Sequence, residues 1–205
     1  MMKKPMITLV ALVVAIAAQA AELPLGTDTS RNYLKNGSFE IGRDNFDYCG
    51  WQNNDPTGWS FSITNAASAG KRALFVEKAG SYLSQHAYVP GGTYVYTVTI
   101  RANPETDFQL GKGKPPKGLG MSYGANFRME KGGKETRLGG HLLGGCPKDG
   151  TPAWQRLVSA PIIIPTNIYG NCYMHIQCGV FHVPKGTGLI DDVALYRVNA
   201  PTDKK

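Results

Sequence analysis

The stretch "VPGGTYVYTVTIRA", residues 89–102, shows the pattern that organises the chain. Pro90, Gly91 and Gly92 form a turn. Tyr94, Tyr96, Val98 and Ile100 then alternate with Thr97, Thr99 and Arg101. A period of two puts one set in a core and leaves the other on a polar face. Short runs rich in Val, Ile, Thr, Tyr and Phe recur between Gly, Pro and Asn, and predict strands near 32–40, 58–64, 72–77, 81–88, 93–102, 119–130, 154–164, 172–182 and 188–198. No amphipathic helix pattern interrupts them. Strands without helices predict an all-β sandwich. Residues 103–118 and 131–150 read as irregular rim loops, and neither an internal repeat nor a second domain is visible.

The ends read differently. "MMKK" is a basic start, "MITLVALVVAIAA" a short apolar run, and "AQA" (Ala18 to Ala20) a small-residue cleavage site. Together they predict a signal peptide over 1–20 rather than a membrane anchor. Residues 21–31 form an N-terminal extension, 32–198 the sandwich, and 199–205 a disordered tail. No second long apolar run follows, which predicts no membrane span after cleavage and a secreted, periplasmic or cell-surface location.

Export changes the reading of charge and cysteine. Removing residues 1–20 leaves 185 residues and takes the formal charge from +7 to +5. A mild basic excess suits an acidic partner such as an anionic glycan, and equally suits plain solubility. Lys and Arg are scattered apart from "GKGKPPKG" (111–118), so nucleic acid is not predicted. Cys49, Cys146, Cys172 and Cys178 form an even set, which in an exported chain points to disulfides. No CxxC pair favours a metal. Cys172 and Cys178 share one predicted strand, and six strand residues span about 20 Å, beyond the roughly 7 Å a disulfide allows. Cys49 and Cys146 should then each pair with one of those two, or some thiols stay reduced.

The same alternation proposes a binding face. In "CYMHIQCGVFHV" (172–183), Cys172, Met174, Ile176, Cys178 and Val180 share the apolar side, while Tyr173, His175 and Gln177 share the other. In "SYGANFRME" (122–130), Tyr123, Phe127 and Met129 oppose Ser122, Asn126 and Arg128. Arg101 ends a neighbouring polar row. Aromatic rings stack on the apolar faces of sugars and planar polar groups take the hydroxyls. Tyr173, His175, Gln177, Asn126, Arg128 and Arg101 are therefore candidate ligand residues. "FDYCGWQNNDPTGW" (46–59) is the most aromatic loop, and adds Tyr48 and Trp51 at the rim. Trp59, His86 and His182 read as structural.

Five segments in order now carry a resemblance: "YLKNGSFEIG", "GWSF", "GKRALFVEKAGSYLSQHAYVPGGTYVYTVTIRA", "WQRLVSAPIIIP" and "GLIDDVALYRV". Over residues 32–198 the chain resembles the CenC-like carbohydrate-binding modules of families 4, 9, 16 and 22. The resemblance implies a galactose-binding-like jelly roll with a carbohydrate ligand. It implies a buried Trp154 at a strand start. It also implies a structural calcium between the first and last strands, held by Glu40, Asp191 and backbone carbonyls around Gly70 and Lys71. The residues support the acid pair independently. Asp191 shares parity with Val193 and Leu195, and a carboxylate on that inward side needs a partner or a cation. Ion pairing or exposed strand ends would also accommodate the two acids.

Catalytic motifs are missing. Asp44, Asp47, Asp55 and Glu130 are not paired by any spacing that marks a glycosidase, and no GxSxG, HExxH or Cys-His signature is present. His175, Tyr173 and Arg128 would suit a polysaccharide lyase only if they converged on one proton. The reading is a non-catalytic carbohydrate-binding module. A cell-envelope or adhesion protein that grips a protein partner with the same sandwich is the alternative.

Overall fold

The computed structural model describes residues 22–41, 50–54, 61–109, 114–183 and 185–199. All twelve regular elements among them are strands, arranged in two antiparallel sheets. In chain order they are β1 (Thr27–Asp28), β2 (Gln52–Asn53), β3 (Phe61–Thr64), β4 (Ala73–Val76), β5 (Tyr82–Val89), β6 (Gly92–Ala102), β7 (Gly118–Arg128), β8 (Glu135–Gly144), β9 (Gln155–Val158), β10 (Ile162–Ile164), β11 (Cys172–Phe181) and β12 (Gly188–Val198). The larger sheet runs β10-β6-β12-β4-β3, with β1 added to β12 and β9 to β6. The smaller sheet runs β2-β5-β11-β7-β8. This is the predicted all-β jelly-roll sandwich.

Inward-facing side chains of both sheets make one core. Leu74, Tyr94, Tyr96, Ile100 and Ile190 from the larger sheet meet Leu83, Leu119, Met121, Met174 and Ile176 from the smaller one, all essentially without exposure. Burial at this scale is the main stabilising term. Tyr96 is accommodated because its hydroxyl donates to the carbonyls of Gly124 (3.1 Å) and His175 (3.3 Å). The two layers are thus joined directly beneath the outer row of the smaller sheet.

Four expectations change. Residues 32–40 are not a strand. Asn36 and Phe39 adopt left-handed φ values of 46° and 54°, and the Asn36 side chain bonds both the N–H and the carbonyl of Ile41. Local side-chain bonds of this kind replace a ladder. Asn32 still fastens the segment to β12, donating to Val193 O and accepting from Leu195 N–H, each at 3.0 Å. Second, 131–150 contains β8. The glycines that read as breakers permit close pairing, since a Cβ on Gly139 would lie 2.4 Å from Tyr123 O. Third, 154–164 divides into β9 and β10 around Pro161, which lacks the N–H a ladder needs. Fourth, the 21–31 extension supplies β1, with Thr27 opposite Val198.

The disulfide expectation fails for three cysteines: Cys146, Cys172 and Cys178 are free. Cys172 and Cys178 point into the core beside Met174 and Ile176 and pack as small apolar side chains. Burial pushes the Cys172 thiol up to about 11 and raises Cys178 too. Cys49, Tyr48, Trp59, Asp44, Asp47, Asp55 and the 1–20 signal segment lie outside the described residues, as does the tail beyond Asn199.

Candidate functional site

The outer face of the smaller sheet is built by register. Across β5, β11, β7 and β8, one row reads Tyr88, Tyr173, Asn126, Arg137, and the next reads His86, His175, Gly124, Gly139. Beside it, Gln52 on β2, Ser84, Gln177, Ser122 and His141 form a polar row. Large rings therefore stand over β5 and β11, while the neighbouring strands carry amides, hydroxyls or no side chain. The result is a cleft of about 480 Å³ lined by residues including Gln52, His86, Asn126, Arg137, Tyr173, His175 and Gln177. A second cleft of about 260 Å³ shares Asn126 and Tyr173 and adds Arg128, Glu135, Tyr169 and Asn171.

The rings form a continuous platform. Tyr173 lies 5.0 Å from His86, 5.4 Å from Tyr88 and 6.0 Å from His175, the last pair stacked. Tyr88 is 69% exposed, so the platform is open at its β5 edge. Gly124 sets the height of His175: a Cβ there would sit 2.3 Å from the ring's Cε1. The imidazole consequently lies down on the strand. Its Nδ1 is buried with no hydrogen-bond partner. Burial, followed by the neighbouring His86 and Arg137, lowers the His175 pKa from its usual 6.5, and the ring is neutral at pH 7.

Four sequence-predicted ligand residues thus converge in the larger cleft: Asn126, Tyr173, His175 and Gln177. Arg128 lines the smaller one. Two others lie elsewhere. Trp51 is buried at 6% exposure, tilted against Phe39 at 5.6 Å, and donates from Nε1 to Asn36 O at 3.2 Å. It anchors the opening segment instead of presenting a ring to a ligand. Arg101 is on β6, in the opposite sheet, with its guanidinium 5.4 Å from the Trp154 ring and its Nε buried without a partner. Trp154 is half-buried, short of the full burial expected.

The sequence reading missed His86, Tyr88, Gln52 and Arg137. His86 was available from the parity of β5, where Tyr82, Ser84, His86 and Tyr88 alternate with Leu83 and Gln85. Arg137 was hidden in a segment read as a loop.

The acid pair forms a different site. Glu40 Oε1 accepts the N–H groups of Lys71 (2.6 Å) and Arg72 (2.8 Å). Lys71 thus meets Glu40 through its backbone N–H. Gly70 has φ 71°, and a Cβ there would fall 2.3 Å from Glu40 Oε1, so only glycine fits this approach. Asp191 is wholly buried at the bulge of β12. Its Oδ2 accepts Ser68 N–H (2.9 Å), Ser68 Oγ–H (2.8 Å) and Ala69 N–H (3.3 Å), and its Oδ1 accepts Asp192 N–H (2.8 Å). Two carboxylates from opposite ends of the sequence therefore clamp the 68–72 loop. Burial, with Asp192 adding to it, raises the Asp191 pKa, whereas the loop amides lower that of Glu40. A buried carboxylate with a raised pKa is electrostatically short of positive charge, and hard oxygen donors of this kind suit calcium. No group of three or more His, Cys, Asp or Glu gathers among the described residues, so any cation here would draw on carbonyls as well.

No family model and no curated protein matches the chain. Solved structures do. A family 16 carbohydrate-binding module is 12% identical, with a TM-score of 0.51 over 80% of this chain and 99% of that one. A family 61 module in complex with β-1,4-galactotriose is 21% identical, with a TM-score of 0.48 over 82% and 99%. A xylan-binding domain of family 22 is 13% identical, with a TM-score of 0.42 over 82% and 97%. At these identities the likeness is one of fold, and it rests on the family 16 module. No helix among the described residues is long and apolar enough to cross a membrane.

Proposed function

We propose that the chain is an exported, non-catalytic carbohydrate-binding module whose ligand lies across the outer face of the smaller sheet. The observation that carries this is the platform of His86, Tyr88, Tyr173 and His175 beside Gln52, Asn126 and Gln177 in one cleft. Apolar sugar faces stack on such rings, and amides bridge adjacent hydroxyls. The family 16 module supports the reading through its fold. The described lining of this cleft contains no carboxylate.

A glycan array followed by affinity electrophoresis tests this proposal. Retention by a polysaccharide, abolished in Tyr173→Ala, is the expected result. Binding to no glycan would overturn it in favour of a protein partner. Release of reducing or unsaturated ends from a retained polysaccharide would overturn its non-catalytic half.

Calcium at Glu40 and Asp191 belongs to the same proposal as a structural ion. It would supply the positive charge that the buried Asp191 lacks and tie β12 to the 32–41 segment and the 68–72 loop. Chelation should lower Tm, and readdition of calcium should restore it. An unchanged Tm removes calcium from the account and leaves the amide clamp.

A further inference from the structure

We propose that the cleft selects acidic glycans, and that Arg137 holds a uronate carboxylate of the bound chain. The inference deepens the glycan-binding reading and rests on it. Arg137 is the only permanently charged side chain in the described lining of the larger cleft. Its place in register is beside Asn126, which in turn pairs with Tyr173. A carboxylate reader and a stacking ring thus stand on one outer row, separated by one strand. That spacing is about 10 Å for two strand steps, the scale of a disaccharide.

The guanidinium is available for this work. Its Nε donates to Glu135 Oε1 at 2.7 Å, and the Arg137 side chain remains 79% exposed. Among the described residues no hydrogen bond uses its Nη atoms. These two N–H groups can take a carboxylate bidentately. The rest of the lining agrees in sign. The titratable groups around Arg137 in this cleft are His86 and Tyr82 on β5 and His175 and Tyr173 on β11, none of them anionic at neutral pH. Among the described residues lining the two clefts, the one carboxylate is that of Glu135, which lines the smaller cleft and competes for Arg137. Positive charge in a partly shielded groove raises the local concentration of an acidic polymer.

The experiment compares polygalacturonate with the same polymer after carboxyl reduction, using affinity electrophoresis and calorimetry at low and moderate salt. The wild type should bind the acidic form about tenfold or more tightly, the scale of one charge-assisted hydrogen-bonded pair, and salt should erode the preference. Arg137→Gln should abolish the preference, bringing the affinity for the acidic polymer down to that for the reduced one. The side chain is exposed, and its hydrogen-bond partner among the described residues is Glu135, so the variant should fold, which Tm checks. Glu135→Gln frees the guanidinium and should strengthen acidic binding. Equal binding of both polymers overturns the acidic selection and leaves a neutral-glycan module standing. A preference that survives in Arg137→Gln overturns the role of Arg137. Binding of neither polymer, nor of anything on the glycan array, overturns this inference and the broader reading together.

Discussion

The two outer faces of the sandwich begin from the same sequence pattern and end differently. "TVTIRA" on β6 and "YMHIQC" on β11 both alternate polar with apolar residues, and both strands sit inside their sheets. On the larger sheet the polar row closes. Thr97 and Thr99 are 1% and 9% exposed, and Arg101 lies against Trp154. On the smaller sheet the row stays open. The difference is side-chain length set against the neighbours. Thr97 and Thr99 are short and are overtopped between β12 and β9. Tyr173 is long and rises beside Asn126, and the His175 ring lies over Gly124, which has no side chain to cover it. Alternation decides which way a side chain points, and neighbours in register decide whether anything outside can reach it.

The largest expected effect separates the core aromatic from the platform aromatic. Trp51→Ala should cost about 3–5 kcal/mol of stability, the range for emptying a buried aromatic site, and should lower Tm by on the order of 10 °C. Glycan affinity per folded molecule should hold nearly constant. A large loss of affinity without a loss of Tm would put Trp51 back in the binding site. Tyr173→Ala should do the reverse. Its affinity should fall about ten- to hundredfold, or ~1.4–2.7 kcal/mol, with little change in Tm, since the ring stands on the outer face. Unaltered affinity would dissolve the distinction between the two faces.

A smaller effect is expected on the closed face. Arg101→Ala removes a guanidinium from the Trp154 ring, an interaction worth about 0.5–1 kcal/mol at such sites. The same change deletes a buried Nε that has no partner, which offsets part of that loss. Thermal and chemical denaturation should register a shift of this size or less, and glycan binding should be untouched. Reduced binding would mean that the ligand reaches the larger sheet.

Much of this division was legible in the chain. Period-two runs gave the strands of both sheets and the outward set Tyr173, His175 and Gln177. The resemblance, carried in part by "NGSFE" and "IDDV", brought Glu40 and Asp191 to one loop. What could not be read was geometry set by glycine and by local side-chain bonds. Gly139 and Gly140 looked like breakers because their sequence signature is the same whether they end a strand or admit a close neighbour. Asn36 and Phe39 looked like strand residues because their alternation was right, although left-handed φ values turned them into a loop. The cysteines were misread because export suggests oxidation, while Cys172 and Cys178 point into the core.

The smallest predicted effect uses pH to tell the layers apart. All four histidines of the chain, His86, His141, His175 and His182, lie on the smaller sheet or directly after β11. His175 and His141 have pKa values below 6.5, each chiefly through burial, with His86 and Arg137 acting on the first and His182 on the second. Unfolding exposes both rings and returns them to about 6.5. Above that value neither state binds the proton, and the contribution to stability is whole. As pH falls below it the unfolded chain takes up protons first, so stability declines until the folded values are passed. Tm should therefore drop between pH 7.5 and 5, and His175→Gln should flatten the slope in part, leaving the share of His141. An identical slope in the variant would mean that His175 is solvated in the free protein, and that Gly124 does not hold its ring down on the strand.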